Sequence, residues 1–434
     1  MRSRSYDPTR FDVVFDDDHA VANAGLALTG ILTRRLGIED TANEMVDLGD
    51  RAGGSRPGRK ILTLLHTMVA GGDCIDDVDV LRCGSTAEVL GHQVMAPSTC
   101  GTFLRSFTFG HVRQLDRLFD VTLSRAWAAG AGPDAEPMTI DVDSTICEVH
   151  GYHKGGAAYG YTKVLGYHPL LATRADTGEI LHVRQRKGSA GSGRGAQRFI
   201  EELVARLRRA GATGALTVRA DSGFFSWKLI ETLKAKEVAF SITVAKNPVV
   251  TRAFTEIPEE AWTRIDYTPD GEAQVAETSY GDDNDRLVVR RTRLIGPQTT
   301  LWPDWQYHAF ITNRDGSPVS LDADHRRHAV CELAIRDWKE GSGANHCPSG
   351  VFAANAAWLL LAALAHNLIR WVAALGLNIT GPVVAKTLRR RLITLPGRIT
   401  RRSRRRVLHL PTDWPWKHQF LTATARLRAL PQLC

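Results

Sequence analysis

Residues 138–145 read MTIDVDST, an apolar run of strand type that carries two carboxylates, Asp141 and Asp143. Side chains alternate along a strand, so both acids leave the same face, and burying either without a partner would cost several kcal/mol or more. Any fold that keeps this strand must bring compensating charge to that face.

The pattern around the strand sets its surroundings. Residues 1–135 carry apolar positions at helical spacing in AVANAGLALTGILTRRLG, RKILTLLHTMVAGG and GTFLRSFTFGHVRQLDRLFDVTLSRAWAAG, with Ser98 after Pro97 as an expected cap. This reads as a helical N-terminal domain, either structural or DNA-contacting. AGAGPDAEP reads as a linker. From Met138 three strand-like segments, MTIDVDST, HPLLATRAD and ILHVRQRKG, precede the helix AQRFIEELVARLRRAG, the strand LTVRAD, the helix SWKLIETLKAKE and the strand AFSITV. Three strands followed by alternating helices and strands imply an α/β fold, a mixed sheet covered by helices, with its first part at 136–245. Residues 246–306 interrupt the alternation with hydrophilic β-type sequence, an insertion. YHAFITN and the helix RRHAVCELAIRDWKEG then resume the core over 307–378.

Asp221 ends the strand LTVRAD, where open α/β sheets gather reactive groups and where a lone Asp also commonly caps the next helix. On the later helix Glu332, Arg336 and Lys339 share a face, as an ordinary surface ion pair or as something more. A strand Asp, a second Asp ending another strand and a Glu on a helix are hard oxygen ligands of the kind Mg²⁺ or Mn²⁺ takes. A pair of such ions, roughly 3.5 to 4 Å apart, would balance the charge of the first strand and serve phosphodiester chemistry.

Charge is unevenly placed. Residues 381–434 hold thirteen Lys or Arg and one acid, Asp413, so this Arg-rich C-terminal segment (379–434) carries +12 while the whole chain carries +8. Six of its arginines, Arg398, Arg401, Arg402, Arg404, Arg405 and Arg406, fall within nine residues. Arginine matches phosphate bidentately, which favours nucleic acid over a merely solvated segment. The longest apolar stretch, AAWLLLAALA, is about half the roughly 20 residues a membrane span needs, and reads as a buried helix. MRSRSYDPTRFD lacks a following apolar segment, so a secretory signal is not expected, and the chain is expected in the cytoplasm. Seven cysteines without C-x-x-C spacing argue for reduced thiols, without disulfides or structural zinc.

Taken in order, TIDVDSTICEVHGYHKGGAAYGYTKVLGYHPLLATRADTGEILHVRQRKGSA, VRADSGFF, YHAFITN, CELAIRDWKEG, AHNLIRW and RRVLHLPTDWPW resemble the DDE transposases of bacterial insertion sequences, most closely the insertion sequence 1380 family. The resemblance implies a ribonuclease H-like catalytic core and cut-and-paste transposition. It places the catalytic, metal-holding set at Asp143, Asp221 and Glu332. Asp141 is then either the true strand ligand or a group supporting it from behind. Related enzymes space Tyr, Arg, Glu and Lys as Y-(2)-R-(3)-E-(6)-K. Here Glu332 and Lys339 keep the last interval, but His325 and His328 stand at the Tyr and Arg positions, leaving Arg326 or Arg327 to take over the phosphate contacts.

The resemblance further implies two Mg²⁺ or Mn²⁺ ions, DNA partners (terminal inverted repeats and a target), a homodimer when two ends are paired, and association with the bacterial nucleoid. DNA contacts are expected from Arg336, Lys339, Arg402, Arg404, Arg405 and Arg406. An aromatic residue of the insertion, Trp302 or Trp305, would hold a flipped base, unless both pack the insertion on the core. Two rival readings are a nuclease with the same core but no strand transfer, and a DNA-binding protein that has lost its chemistry.

Overall fold

The computed structural model describes residue 9 and residues 11–433, apart from 152, 161, 268–270, 295–304 and 404. A two-residue strand β1 (Ala20–Val21) leads into helices α1 (Leu26–Arg35), α2 (Ile38–Met45), α3 (Pro57–Ala70), α4 (Val78–Arg82), α5 (Thr86–Leu90), α6 (Pro97–Arg105) and α7 (Phe109–Ala126). Local chemistry sets several of these ends. Pro57 opens α3, where its missing N–H costs nothing, and Gly71 closes it at φ 108, a left-handed value suited to glycine. Thr108 and His111 bond reciprocally across the first turn of α7. Ser98 is not the cap of α6: Ala96 stands at that position and Pro97 is the first helical residue, so Ser98 lies inside the helix.

The core follows as β2 (Met138–Ser144), short strands β3 (Cys147–Glu148), β4 (Ala158–Tyr159) and β5 (Leu165–Tyr167), then β6 (Leu170–Arg174), β7 (Ile180–Arg184), α8 (Ala196–Arg209), β8 (Leu216–Ala220), α9 (Trp227–Ala235) and β9 (Ala239–Val244). β2, β6 and β7 form an antiparallel meander, while β8 and then β9 join the other side of β2 in parallel, giving the order β7-β6-β2-β8-β9. α8 supplies the connection to β8, and buries Phe199, Ile200, Leu203, Val204 and Leu207 along one stripe. The small sheet β3-β5-β4, between β2 and β6, is not foreshadowed by the sequence pattern.

The insertion holds α10 (Pro248–Thr255), β10 (Thr263–Ile265), β11 (Gly271–Tyr280) and β12 (Asp285–Leu294), and the chain returns through β13 (Gln306–Thr312). Its strands do not stand apart. β10 to β13 form one antiparallel ladder, and β13 pairs antiparallel with β9, so insertion and core share a nine-stranded mixed sheet. Val275, Val288 and Phe310 bury themselves with Leu321 as a small satellite core.

After the sheet come α11 (Pro318–Arg326), α12 (Cys331–Gly341), α13 (Phe352–Trp371), α14 (Ala385–Leu388), β14 (Gly397–Arg402), β15 (Arg405–His409) and α15 (Lys417–Ala429). α13 packs against β7 on one side and against α1, α3, α6 and α7 on the other, so the N-terminal helices wrap a helix of the core. Asn367 fixes its register by bonding both backbone groups of Ile180 (2.9 and 2.7 Å). The helical run continues to Gly376 and is long and apolar enough to cross a membrane, further than its ten-residue apolar stretch indicates; 94% of its most apolar window is buried in the protein. β14 pairs with β15 and with β1, which folds the Arg-rich segment into a hairpin against the N-terminal region. The six described cysteines are free thiols.

Candidate active site

The two aspartates of β2 have different surroundings. Asp141, 1% exposed, lies in register with Arg219 of the parallel neighbour β8 and receives its guanidinium on both oxygens (Nε to Oδ1 2.7 Å, Nη2 to Oδ2 2.9 Å). His328 Nδ1 adds a contact to Oδ1 at 2.9 Å. The protein itself compensates this charge, where the sequence alone points to metal. Arg219 is a partner that the sequence does not single out, although one Arg in the apolar strand LTVRA is the counterpart of one Asp in MTIDV.

Asp143, two residues on, has no basic partner in an ion pair among the described residues. Its Oδ1 accepts from Ser144 N–H at 2.6 Å, and Oδ2 meets the Cys331 thiol at 3.7 Å. Burial, with the Asp221 carboxylate nearby, pushes Asp143 up to about 6 against the opposing pull of Ser144 N–H and His328. Asp221 sits just beyond β8, exposed, and caps a single turn by accepting from Gly223 N–H on Oδ1 at 3.0 Å. The capping role therefore holds for one of its oxygens. Glu332 is the second residue of α12 and exposed, in the first turn, where the helix dipole favours an anion. None of the three acids forms an ion pair among the described residues.

Asp143 and Glu332 line one open cleft of about 300 Å³ with Ser144, Thr145, Arg336, Lys339 and Asn345. The carboxylates of Asp143, Asp221 and Glu332 do not all converge as closely as a ready ligand set. Among the described residues, the three such side chains with ligand atoms within 4.8 Å of one another are Asp73, Cys74 and Asp77 in the helical region. There Asp77 Oδ2 is already engaged by the N–H groups of Asp73 and Cys74.

The face Glu332, Arg336, Lys339 forms no internal ion pair. Lys339 Nζ donates to Ile146 O at 2.8 Å, and Arg336 is exposed without a partner among the described residues. His325 is a core group. It is buried, stacks on Phe310 and bonds Ser241 Oγ and Thr243 Oγ1 (2.8 and 3.0 Å), with burial driving its pKa down to about 2. Arg326 is bonded to the buried Asp322 at 2.9 Å, whereas Arg327 is exposed and has no partner among the described residues.

In the hairpin, Arg401 and Arg406 face each other across the strands and both reach Glu88 of α5 (2.9 and 3.0 Å). Arg402 and Arg405, the next pair, fall on the opposite face and are exposed. Arg404 and Trp302 lie outside the described residues. Trp305 covers two guanidinium groups of β12, Arg291 at 4.4 Å and Arg293 at 4.5 Å from its ring centre, a packing position within the insertion.

Acids without counter-ions at the ends of two parallel strands and on a facing helix, with cations on the same helix, are the parts of an enzyme of phosphate chemistry. Residues 5–432 match the family model described as Transposase DDE domain group 1, and the chain belongs to that family. It is a DDE transposase, acting in DNA transposition and recombination, and its partner is DNA. No curated protein matches the chain. A solved synaptic complex of piggyBac transposase with hairpin DNA is similar over 86% of this chain and 79% of that one, at 14% identity and a TM-score of 0.43, too loose an overlap to carry geometry across.

Proposed function

We propose that this chain is the transposase of a bacterial insertion sequence of the 1380 type, which binds the inverted repeats at the ends of its element, cuts there and joins the freed 3′ ends to target DNA. The observation that carries this reading is the contrast on β2. Asp141 is fully paired, while Asp143 opens with Glu332 into a cleft, Asp221 stands just beyond the end of the neighbouring strand, and none of the three has a basic partner among the described residues. The order β7-β6-β2-β8-β9, an antiparallel meander followed by two parallel strands, agrees with a ribonuclease H-like core made of 136–245 and 307–378, with 246–306 inserted.

Transposases of this class use divalent metal, and the donor set fits: three hard carboxylates, one with a raised pKa that a cation would relieve. Asp143, Asp221 and Glu332 would hold Mg²⁺ or Mn²⁺, which when bound supplies Lewis acidity to the phosphodiester. The chain's own groups do the rest. Ser144 N–H fixes the Asp143 carboxylate, Arg219 fixes Asp141 behind it, and Arg336, exposed and without a partner among the described residues, is placed on the Glu332 face for a phosphate. Pairing of two element ends would engage two copies of the chain.

The test uses purified protein, Mg²⁺ and DNA from the two flanks of the coding region. Cut ends joined to a target plasmid support transposition. Cutting without joined products supports the rival nuclease, and binding without cutting supports a protein that has lost its chemistry.

A further inference from the structure

Between β7 and α8 runs the loop RKGSAGSGRG (186–195), to which the catalytic roles above assign nothing. Arg186 organises it from beneath. Its Nη1 donates to the carbonyls of Gly191 (2.8 Å), Ser192 (3.0 Å) and Arg194 (2.8 Å), and its Nε to the carbonyl of His168 (2.8 Å). In a trans peptide the C=O and N–H point opposite ways, so turning these three loop carbonyls inward turns the N–H groups of Ser192, Gly193 and Gly195 outward. Those three amides have no bonding partner among the described residues. A Cβ built at Gly191 or Gly195 would meet nothing within 4 Å, whereas one at Gly193 would lie 2.9 Å from the Gly223 carbonyl, so the loop is open at its two ends and rests against Gly223 at its middle.

A second observation is independent of the loop's shape. Arg186 is only 9% exposed, forms no ion pair with any acid among the described residues, and its Nη2 is buried without a hydrogen-bond partner. Burial and the neighbouring Arg194 draw its pKa down to about 10. A buried cation without an anion is costly, and an anion is what the surroundings lack. The following helix α8 adds its N-terminal dipole.

The loop also lies against the carboxylates. Ser192 Oγ is 3.2 Å from Ser144 Oγ, beside Asp143. Ser192 fills the space above Gly223, where an added Cβ would lie 2.8 Å from its Cβ, and Gly223 in turn bonds Asp221.

We propose that residues 186–195 form a phosphate cradle, in which the outward amides of Ser192, Gly193 and Gly195, backed by Arg186 and Arg194, hold a backbone phosphate of the DNA strand presented to Asp143 and Asp221. This rests on the transposase reading, and it assigns the cradle to a phosphodiester of duplex or nicked DNA. Successive outward amides beside a cation are a recurrent anion site, and they recognise the backbone without regard to sequence.

The test is amide hydrogen exchange of the full chain with Ca²⁺, with and without a duplex from the flank of the coding region, alongside a binding titration on the same samples. The cradle requires slowed exchange at Ser192, Gly193 and Gly195 when DNA is bound. Arg194→Gln should weaken binding by roughly tenfold, the scale of one charge-assisted contact, and Arg186→Gln, which releases the three carbonyls that turn the amides outward, should remove that protection. Arg194 is exposed, so its variant tests the cradle even where Arg186→Gln loosens the loop. DNA bound with no change of exchange in the loop overturns the cradle and leaves the transposase reading intact. Failure of the unaltered chain to bind the duplex overturns both.

Discussion

Arg219 and Asp141, partners in register on adjacent parallel strands, form a two-point ion pair with side chains 3% and 1% exposed. A third nitrogen of the same guanidinium reaches the Asp324 carbonyl at 2.6 Å, tying the strand pair to the end of α11. Breaking such a pair leaves an uncompensated buried charge, at about 3 to 5 kcal/mol. Asp141→Asn is therefore expected to lower stability by roughly that amount, as read by urea unfolding. Removing both charges in Asp141→Leu with Arg219→Met should recover part of the stability. A fully stable Asp141→Asn would show that the pair is not what holds this face.

Asp143 should behave in the opposite sense. Its folded pKa, about 6, lies above the ordinary 3.8, so the folded state binds the proton more tightly than the unfolded one. The penalty for ionising it is absent below about pH 4 and complete above about pH 6, and amounts to no more than about 3 kcal/mol. Without metal, Asp143→Asn should raise the melting temperature at pH 7.5 and leave it unchanged at pH 4. Equal shifts at both pH values would contradict the raised pKa, and added Mg²⁺ should stabilise the unaltered chain but not the variant.

The hairpin divides the arginines by face. Arg402→Ala with Arg405→Ala should reduce the slope of log affinity against log salt by roughly 0.9 for each phosphate no longer neutralised, for any DNA sequence. Glu88→Gln, which frees Arg401 and Arg406, should leave that slope the same or steeper. Equal slopes for the double variant and the unaltered chain would remove the outer face from the DNA interface.

Trp305 tests the insertion. Stacked over Arg291 and Arg293, it should contribute about 0.5 to 1 kcal/mol to folding through each guanidinium. Trp305→Ala is expected to lower stability and to leave 2-aminopurine fluorescence at the element end unaltered. Disappearance of that unstacking signal would instead give Trp305 to a flipped base.

Much of the core is legible because its periods differ. The two-residue alternation of MTIDVDST and the helical stripe of AQRFIEELVARLRRAG correspond to β2 and α8. The pairing of Asp141 is not legible, since it depends on which strand lies beside β2 and in what register; a lone Arg in LTVRA is its only local sign. GRITRRSRRRVLHL reads as a basic array and not as a hairpin because Arg outweighs its few apolar residues, of which Ile399 and Leu408 pair across the strands. The division of labour among six arginines comes only with the cross-strand pairs. His325 stands at the Tyr position of the related spacing, yet its ring is held in the core by Ser241, Thr243 and Phe310, contacts set by β9 and β13 far away in sequence.

On the proposed reading, Asp143, Asp221 and Glu332 act together on DNA while Asp141 acts on the fold. The direct measurement is Mg²⁺-dependent nicking at the element ends by Asp143→Asn, Asp221→Asn and Glu332→Gln, each checked for folding and for binding of the same DNA. Each variant should fold, bind and fail to nick, since a neutral amide cannot take the place of a carboxylate at a divalent ion. Nicking at the ends by the triple variant at the rate of the unaltered chain would contradict the assignment.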